Sequence, residues 1–182
     1  MIEIVADTLS LDEIHRNMSL NDHFVKVFGD PKSKAYKRAQ TAFCESLAGY
    51  SLCCYVLQIK DRHNQNLLLD ASGHIVHIDF GFLLSSFPGK GLKFEKAPFK
   101  LTQEFVDVLG GLNSKTFTKF RKLLQQGFMA LQEHADKLIV LVEMMVMGQK
   151  DLPCFQQGED TVRIMKENLF SEGKRFSVKK AL

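Results

Sequence analysis

Asp61 and Asn66 stand five residues apart, and Asp79 follows thirteen residues after Asn66. An aspartate can take a proton from an attacking hydroxyl. An amide oxygen and a second carboxylate are hard donors, suited to a magnesium-type cation that keeps waters and phosphate oxygens in its shell. The run Asp61-Arg-His-Asn-Gln-Asn66 sits between an apolar helix pattern and an apolar strand pattern. Polar side chains at such a junction must be solvated, paired or used. Phosphoryl transfer suits the set, because that reaction asks for positioning and charge neutralisation more than covalent help. Taken singly the residues say less. His63 alone reads as an ordinary core or surface histidine, and His74 and His77 read as turn and strand residues. Zinc on His63, His74 and His77 lacks a cysteine or a well-spaced fourth ligand.

The elements that must position these groups can be read from periodicity. Ala39, Phe43, Leu47, Tyr50, Cys54 and Leu57 recur every three or four residues and predict a long helix from about Ser33 to Ile59, well buried in its second half. Leu67–Leu69 and His74–Asp79 predict two strands around the turn Asp70-Ala-Ser-Gly73. That hairpin would bring Asn66 and Asp79 to one end. Upstream, Ile2–Val5 reads as a short strand or linker, Ser10 and Glu13 as a capping box opening a helix, and Asp30-Pro31 as a break. Residues 82–98 read as a loop. Helices are predicted over 102–109, 114–131, 135–147 and 161–169, with a basic tail from Lys174. The expected fold class is α+β, mostly helical, with one central hairpin.

Composition narrows the class further. The 182 residues are 45% hydrophobic and 25% charged, ordinary for a globular domain, and suffice for one sizeable core. The net charge of +3 gives no case for nucleic acid. Cys44, Cys53, Cys54 and Cys154 form no C-x-x-C pair, and the adjacent two read as buried helix residues of a reducing compartment. No run reaches the roughly 20 apolar residues a spanning helix needs.

The Asp-to-Asn spacing, followed by Asp79-Phe-Gly81, is that of the protein-kinase catalytic loop and its metal-binding segment. Protein kinases place His-Arg before the aspartate, whereas here Arg62-His63 follow it. The chain instead resembles the phosphatidylinositol 3-/4-kinase family, in particular its type III 4-kinases of the beta kind. The likeness rests on Asp61-Arg-His-Asn-Gln-Asn-Leu-Leu-Leu-Asp70 and His77-Ile-Asp-Phe-Gly81. It extends through Phe99-Lys-Leu-Thr102, Glu104-Phe-Val-Asp-Val-Leu-Gly-Gly111 and Leu152-Pro-Cys-Phe155.

The resemblance implies a kinase-like C-terminal lobe over 1–182. It divides into an interlobe hinge at 1–9, a catalytic loop at 61–66, an activation loop at 79–101 and a helical remainder at 102–170. It implies catalytic roles for Asp61 and His63, a charge-positioning role for Arg62, and metal ligation by Asn66 and Asp79. Glu3, Ile4 and Val5 would meet adenine with Leu68 and Ile78 as its apolar floor, although both also fit plain hairpin core. Lys93, Lys96 and Lys100 would meet the lipid headgroup, though scattered lysines also fit a solvated loop. Leu83, Leu84, Phe87 and Phe94 could enter the membrane interface or pack beneath the loop. Cofactors would be ATP with magnesium, or manganese in its place. The implied reaction is phosphorylation of phosphatidylinositol at its 4-hydroxyl, at a cytoplasmic face of Golgi-like internal membranes, with an adaptor or small GTPase as recruiter. The lack of arginine between Asp79 and Leu101 favours this less charged lipid.

The family's N-terminal lobe, with its glycine-rich loop and strand lysine, has no counterpart before the hinge. The isolated chain is therefore expected to be inert or nearly so. Two rivals stand beside this reading: a 3-kinase or related protein kinase, and a scaffold lobe without chemistry.

Overall fold

Ser10 closes a strand and opens a helix. In the computed structural model, which describes residues 4–86 and 97–170, its hydroxyl accepts from the Glu13 N–H. The Glu13 carboxylate in turn accepts from the Ser10 N–H, completing the capping box. Strand β1 (Thr8–Ser10) thus runs into α1 (Leu11–His15), and Ser19 caps α2 (Leu20–Phe28). After the Asp30-Pro31 break comes α3 (Lys34–Leu57), then β2 (Leu67–Asp70) and β3 (Ile75–His77). Helices α4 (Gln103–Val108), α5 (Lys115–Glu133), α6 (Ala135–Gly148) and α7 (Glu159–Phe170) complete the described chain. Short 3-10 turns lie at Asn64–Asn66 and Pro153–Phe155. The predicted hairpin and the long helices are present, each helix within two residues of its expected ends.

The chain forms two compact units, the first comprising Met1–Tyr50, Arg62–Ile78 and Leu101–Leu123. Its sheet is antiparallel in the order β1-β2-β3, with Leu9 opposite Leu69 and Leu68 opposite Val76. Leu67, Leu69 and Ile75 face the core, as the two-residue period of a strand requires. Phe43 on α3 lies edge-on to both Phe24 and Phe105, with centroids 5.5 and 5.6 Å away, the arrangement that ring quadrupoles favour. The hairpin turn presses on α3. At Gly73 (φ +95°), a Cβ would fall 2.8 Å from the Ala39 backbone oxygen. The Ile75 N–H donates to the Ser46 hydroxyl at 3.0 Å.

The second unit comprises Ser51–Asp61, Asp79–Lys100 and Leu124–Leu182. Its core gathers Val56, Leu84, Ile139, Val142, Phe155 and Met165. Gly127 lets α5 approach α3 so closely that a Cβ there would meet Leu52 at 2.4 Å. Leu83 and Leu84 both pack on this cluster.

Some expectations change. Ile4 and Val5 are exposed and outside any strand, in keeping with the linker alternative, and a strand the sequence did not announce lies at Thr8–Ser10, where it has β2 to pair with. The helix begun at Ser10 is two helices, because a Ser19 cap restarts it. Cys53 is exposed on α3, while Cys44 and Cys54 are buried and Cys154 partly so. Within the expected 82–98 loop, the described residues carry no helix or strand. Glu3, Phe87, Lys93, Phe94, Lys96 and the tail from Lys174 lie outside the described residues.

Candidate functional site

The approach to Asp61 is set by how α3 stops. Gln58 adopts φ +52°, and the Ile59 N–H returns to the Cys54 carbonyl at 3.1 Å. This six-to-one bond past a left-handed residue is a Schellman end, here made without glycine. Gln58 adds its own side-chain amide, donating to the Tyr55 carbonyl at 2.6 Å. Ile59 is buried beyond it. Two backbone rungs then join this segment to the one following Asp79. The Lys60 N–H donates to the Phe82 carbonyl at 2.9 Å, and the Leu84 N–H to the Leu57 carbonyl at 2.7 Å. Lys60 is itself buried, its Nζ 3.5 Å from the Ala97 carbonyl. All of these contacts belong to the second unit, as do Asp61 and Asp79.

Both aspartates adopt left-handed backbone, Asp61 at φ +63° and Asp79 at φ +56°. Such residues persist where the surroundings over-determine them, and they gather at functional sites. Asp79 is exposed, and its Oδ1 accepts from the Gly81 N–H at 3.1 Å, which fixes the carboxylate over the Asp-Phe-Gly turn.

The rest of the loop belongs to the first unit. Arg62 is buried, and its guanidinium donates to the Ile78 carbonyl at 2.7 Å. The Ile78 N–H donates to the Asn66 carbonyl at 3.1 Å, so one residue ties the loop to the end of the hairpin. His63 caps the turn Asn64–Asn66, its Nδ1 accepting from the Gln65 N–H at 3.2 Å. A neutral His63 ring therefore carries its proton on Nε2. Asn66 is buried; His63 is exposed. Leu68 and Ile78 are half-buried. Ile4 is 88% exposed, and the Val5 carbonyl accepts from the Thr8 hydroxyl at 3.0 Å. Lys100 is half-buried beside buried Phe99. The site residues named from the sequence thus divide between the two units: Arg62, His63, Asn66, Leu68 and Ile78 in one, Asp61, Asp79 and Lys100 in the other.

The two hairpin histidines, His74 and His77, have structural surroundings. His77 stacks on Tyr50, with centroids 4.3 Å apart and planes 9° apart. His74 donates its N–H to Asp70 and holds the same carboxylate with its ring. Burial opposes charge on Asp70, but the bonds from His74 and the Ser72 N–H outweigh it and keep the carboxyl below its usual range. Among the described residues no three His, Cys, Asp or Glu side chains gather as a metal cage.

Sequence reasoning passed over His15 and Glu104. The Asn64 amide nitrogen lies 3.0 Å from His15 Nδ1, and His15 Nε2 lies 2.6 Å from the Glu104 carboxylate. These partners are 49 and 89 residues apart in sequence. No local signal could have joined them, although Glu104 opens the run Glu104–Gly111 already singled out.

A sequence profile of the family described as phosphatidylinositol 3- and 4-kinase matches residues 11–156. The chain is 49% identical over 169 residues to phosphatidylinositol 4-kinase beta of Rattus norvegicus, a match covering 92% of this chain and 20% of that protein. The protein of the same name from Mus musculus gives the same figures. The one from Xenopus tropicalis is 48% identical, over 92% of this chain and 21% of its own length. The chain spans about a fifth of the length of the curated relatives it matches.

Proposed function

The chain belongs to the phosphatidylinositol 3- and 4-kinase family, and from that membership we propose that it carries the catalytic loop and Asp-Phe-Gly segment of a lipid kinase. The reaction we assign is transfer of the γ-phosphate of ATP to the 4-hydroxyl of phosphatidylinositol, giving phosphatidylinositol 4-phosphate. The observation that carries this reading is 49% identity over 169 residues to a protein named for that activity.

In this reading Asp61 accepts the proton of the attacking hydroxyl, and the segment leading to it is held by the Lys60–Phe82 and Leu84–Leu57 backbone bonds before substrate arrives. The neutral His63 ring offers a donor at Nε2 to charge developing on the transferred group. Arg62, buried and bonded to backbone, holds the loop rather than acting as base. Asn66 and Asp79 supply an amide oxygen and an oriented carboxylate, a donor set that fits magnesium or manganese. A cation shared with substrate phosphates needs no cage of protein ligands. When bound, it neutralises charge on the β- and γ-phosphates. Glu3, Ile4 and Val5 would contact adenine from the hinge, with Leu68 and Ile78 beneath it, and Lys93, Lys96 and Lys100 would meet the lipid headgroup.

No helix among the described residues is long and apolar enough to cross a membrane. We assign peripheral contact with cytoplasmic faces of internal, Golgi-type membranes, aided by an adaptor or small GTPase and by the family's N-terminal lobe. This placement rests on the likeness alone.

The test is a chimera in which this chain replaces the matching segment of the rat relative. Given labelled ATP, magnesium and phosphatidylinositol vesicles, it should label the 4-hydroxyl, and Asp61→Ala or Asp79→Asn should abolish labelling. Label on the 3-hydroxyl would overturn the position of transfer. No lipid product, with nucleotide still bound, would overturn the lipid kinase assignment.

A further inference from the structure

Asn64 opens the turn that carries Asn66, and its side chain is not left to solvent. Its amide meets His15 at the last residue of α1, and the same ring meets Glu104 in the first turn of α4. The chemistry of the imidazole fixes the direction of the chain. An Asn N–H can be accepted at Nδ1 only when the ring proton sits on Nε2, and that is the end facing the Glu104 carboxylate. Asn64 therefore donates to His15, and His15 donates to Glu104. Both helices that bring these groups are themselves fixed, α1 by the Ser10–Glu13 box and α4 by the Thr102 hydroxyl on the Phe105 N–H. All three residues lie in the first unit.

The contact adds little to stability, because its side chains are 25% and 37% exposed and water competes for both partners. It adds orientation. The Asn66 N–H donates to the His63 carbonyl, and the Asn66 carbonyl accepts from Ile78, so a turn anchored at Asn64 is held at its far end too. We propose that His15 and Glu104 are positioning residues for the catalytic loop, acting through the side chain of Asn64. This rests on the kinase reading above for its consequence, and on the hydrogen-bond geometry for its existence.

Two measurements separate the parts. In the chimera, His15→Ala and Glu104→Ala should each lower kcat by roughly tenfold to a hundredfold, with KM for ATP and lipid within about twofold. His15→Gln, whose amide can accept from Asn64 and donate to Glu104, should restore most of the rate. His15→Ala combined with Asn64→Ala should be no worse than either alone. An unchanged kcat, or a rise in KM at constant kcat, would overturn the positioning role while leaving the lipid kinase assignment intact.

The second measurement needs no activity. Nitrogen-15 spectra of the 182-residue chain should show the His15 ring as the Nε2–H tautomer. His15→Ala should shift the backbone amides of Asn64, Gln65 and Asn66 while those of Leu9 and Leu69 in the sheet stay in place. Unmoved loop amides would overturn the proposal even if the chimera proved inactive.

Discussion

The guanidinium of Arg62 donates to the backbone carbonyl of Ile78, the residue just before Asp79. The bond fixes a buried guanidinium to the main chain beside Asp79, so Arg62 shapes the backbone there. Replacing Arg62 with Met should destabilise the chain by about 1.5–3 kcal/mol, the range for a buried hydrogen bond to a charged group. Urea unfolding of the 182-residue chain measures this. Arg62→Lys should recover only part of the loss, since a single ammonium cannot reproduce the planar fork. Equal stability of Arg62→Met and the parent would refute the assignment.

Left-handed backbone at Asp61 and Asp79 separates folding from chemistry. Glycine adopts that conformation at no steric cost. Asp61→Gly and Asp79→Gly should therefore leave stability within about 1 kcal/mol of the parent, while phosphate transfer by the chimera drops at least about a hundredfold. Asp79→Val, a β-branched residue at φ +56°, should lose activity and also unfold at lower urea. A glycine variant that keeps its activity would remove Asp79 from the mechanism.

Gly73 is required twice, by its φ and by its distance from Ala39. Gly73→Ala should cost about 2–4 kcal/mol, from backbone strain together with overpacking against α3. Because the obstruction includes the Ala39 carbonyl oxygen, Ala39→Gly should not rescue it. Full rescue in the double variant would show that only the side chain obstructs.

Burial raises the Cys44 thiol to about 11, against a slight lowering by Lys119. The thiol is fully enclosed and lies 3.6 Å from the Thr116 carbonyl. A raised folded value favours the protonated form, so its contribution is complete below the unfolded value of 9.0. It is lost as pH rises from 9 towards 11. Unfolding free energy should fall by up to about 2 kcal/mol across that window, and Cys44→Ala should flatten the dependence. At pH 8 the exposed Cys53 should react with iodoacetamide well before Cys44. A stability curve of the same slope in Cys44→Ala would assign the alkaline loss elsewhere.

Much of the fold was legible because its signals are local. The turn Asp70-Ala-Ser-Gly73 announces the hairpin, and apolar periodicity announces α3, α5 and α6. The capping box at Ser10 and Glu13 was also plain. Strand β1 was not anticipated because three residues, Thr8–Ser10, become a strand only by pairing with Leu68–Asp70. The break before α2 was missed although Ser19 and Asp22 carry a usable cap signal. Cys53 reads as buried because its neighbours are apolar, yet the helical period turns it outward. At the candidate site, the identities of Asp61, Asn66 and Asp79 stand in the sequence. The devices around them do not, since Arg62 with Ile78 and His15 with Glu104 are joined only by folding.

The rungs from Lys60 to Phe82 and from Leu84 to Leu57 also bear on length variation. They fix both ends of a three-peptide stretch whose two inner residues, Gln58 and Ile59, are already committed to ending a helix. A residue inserted between Leu57 and Lys60 would have to break a rung or unwind α3. Either change displaces the acidic residue that follows. Insertions and deletions in related sequences should therefore avoid this stretch.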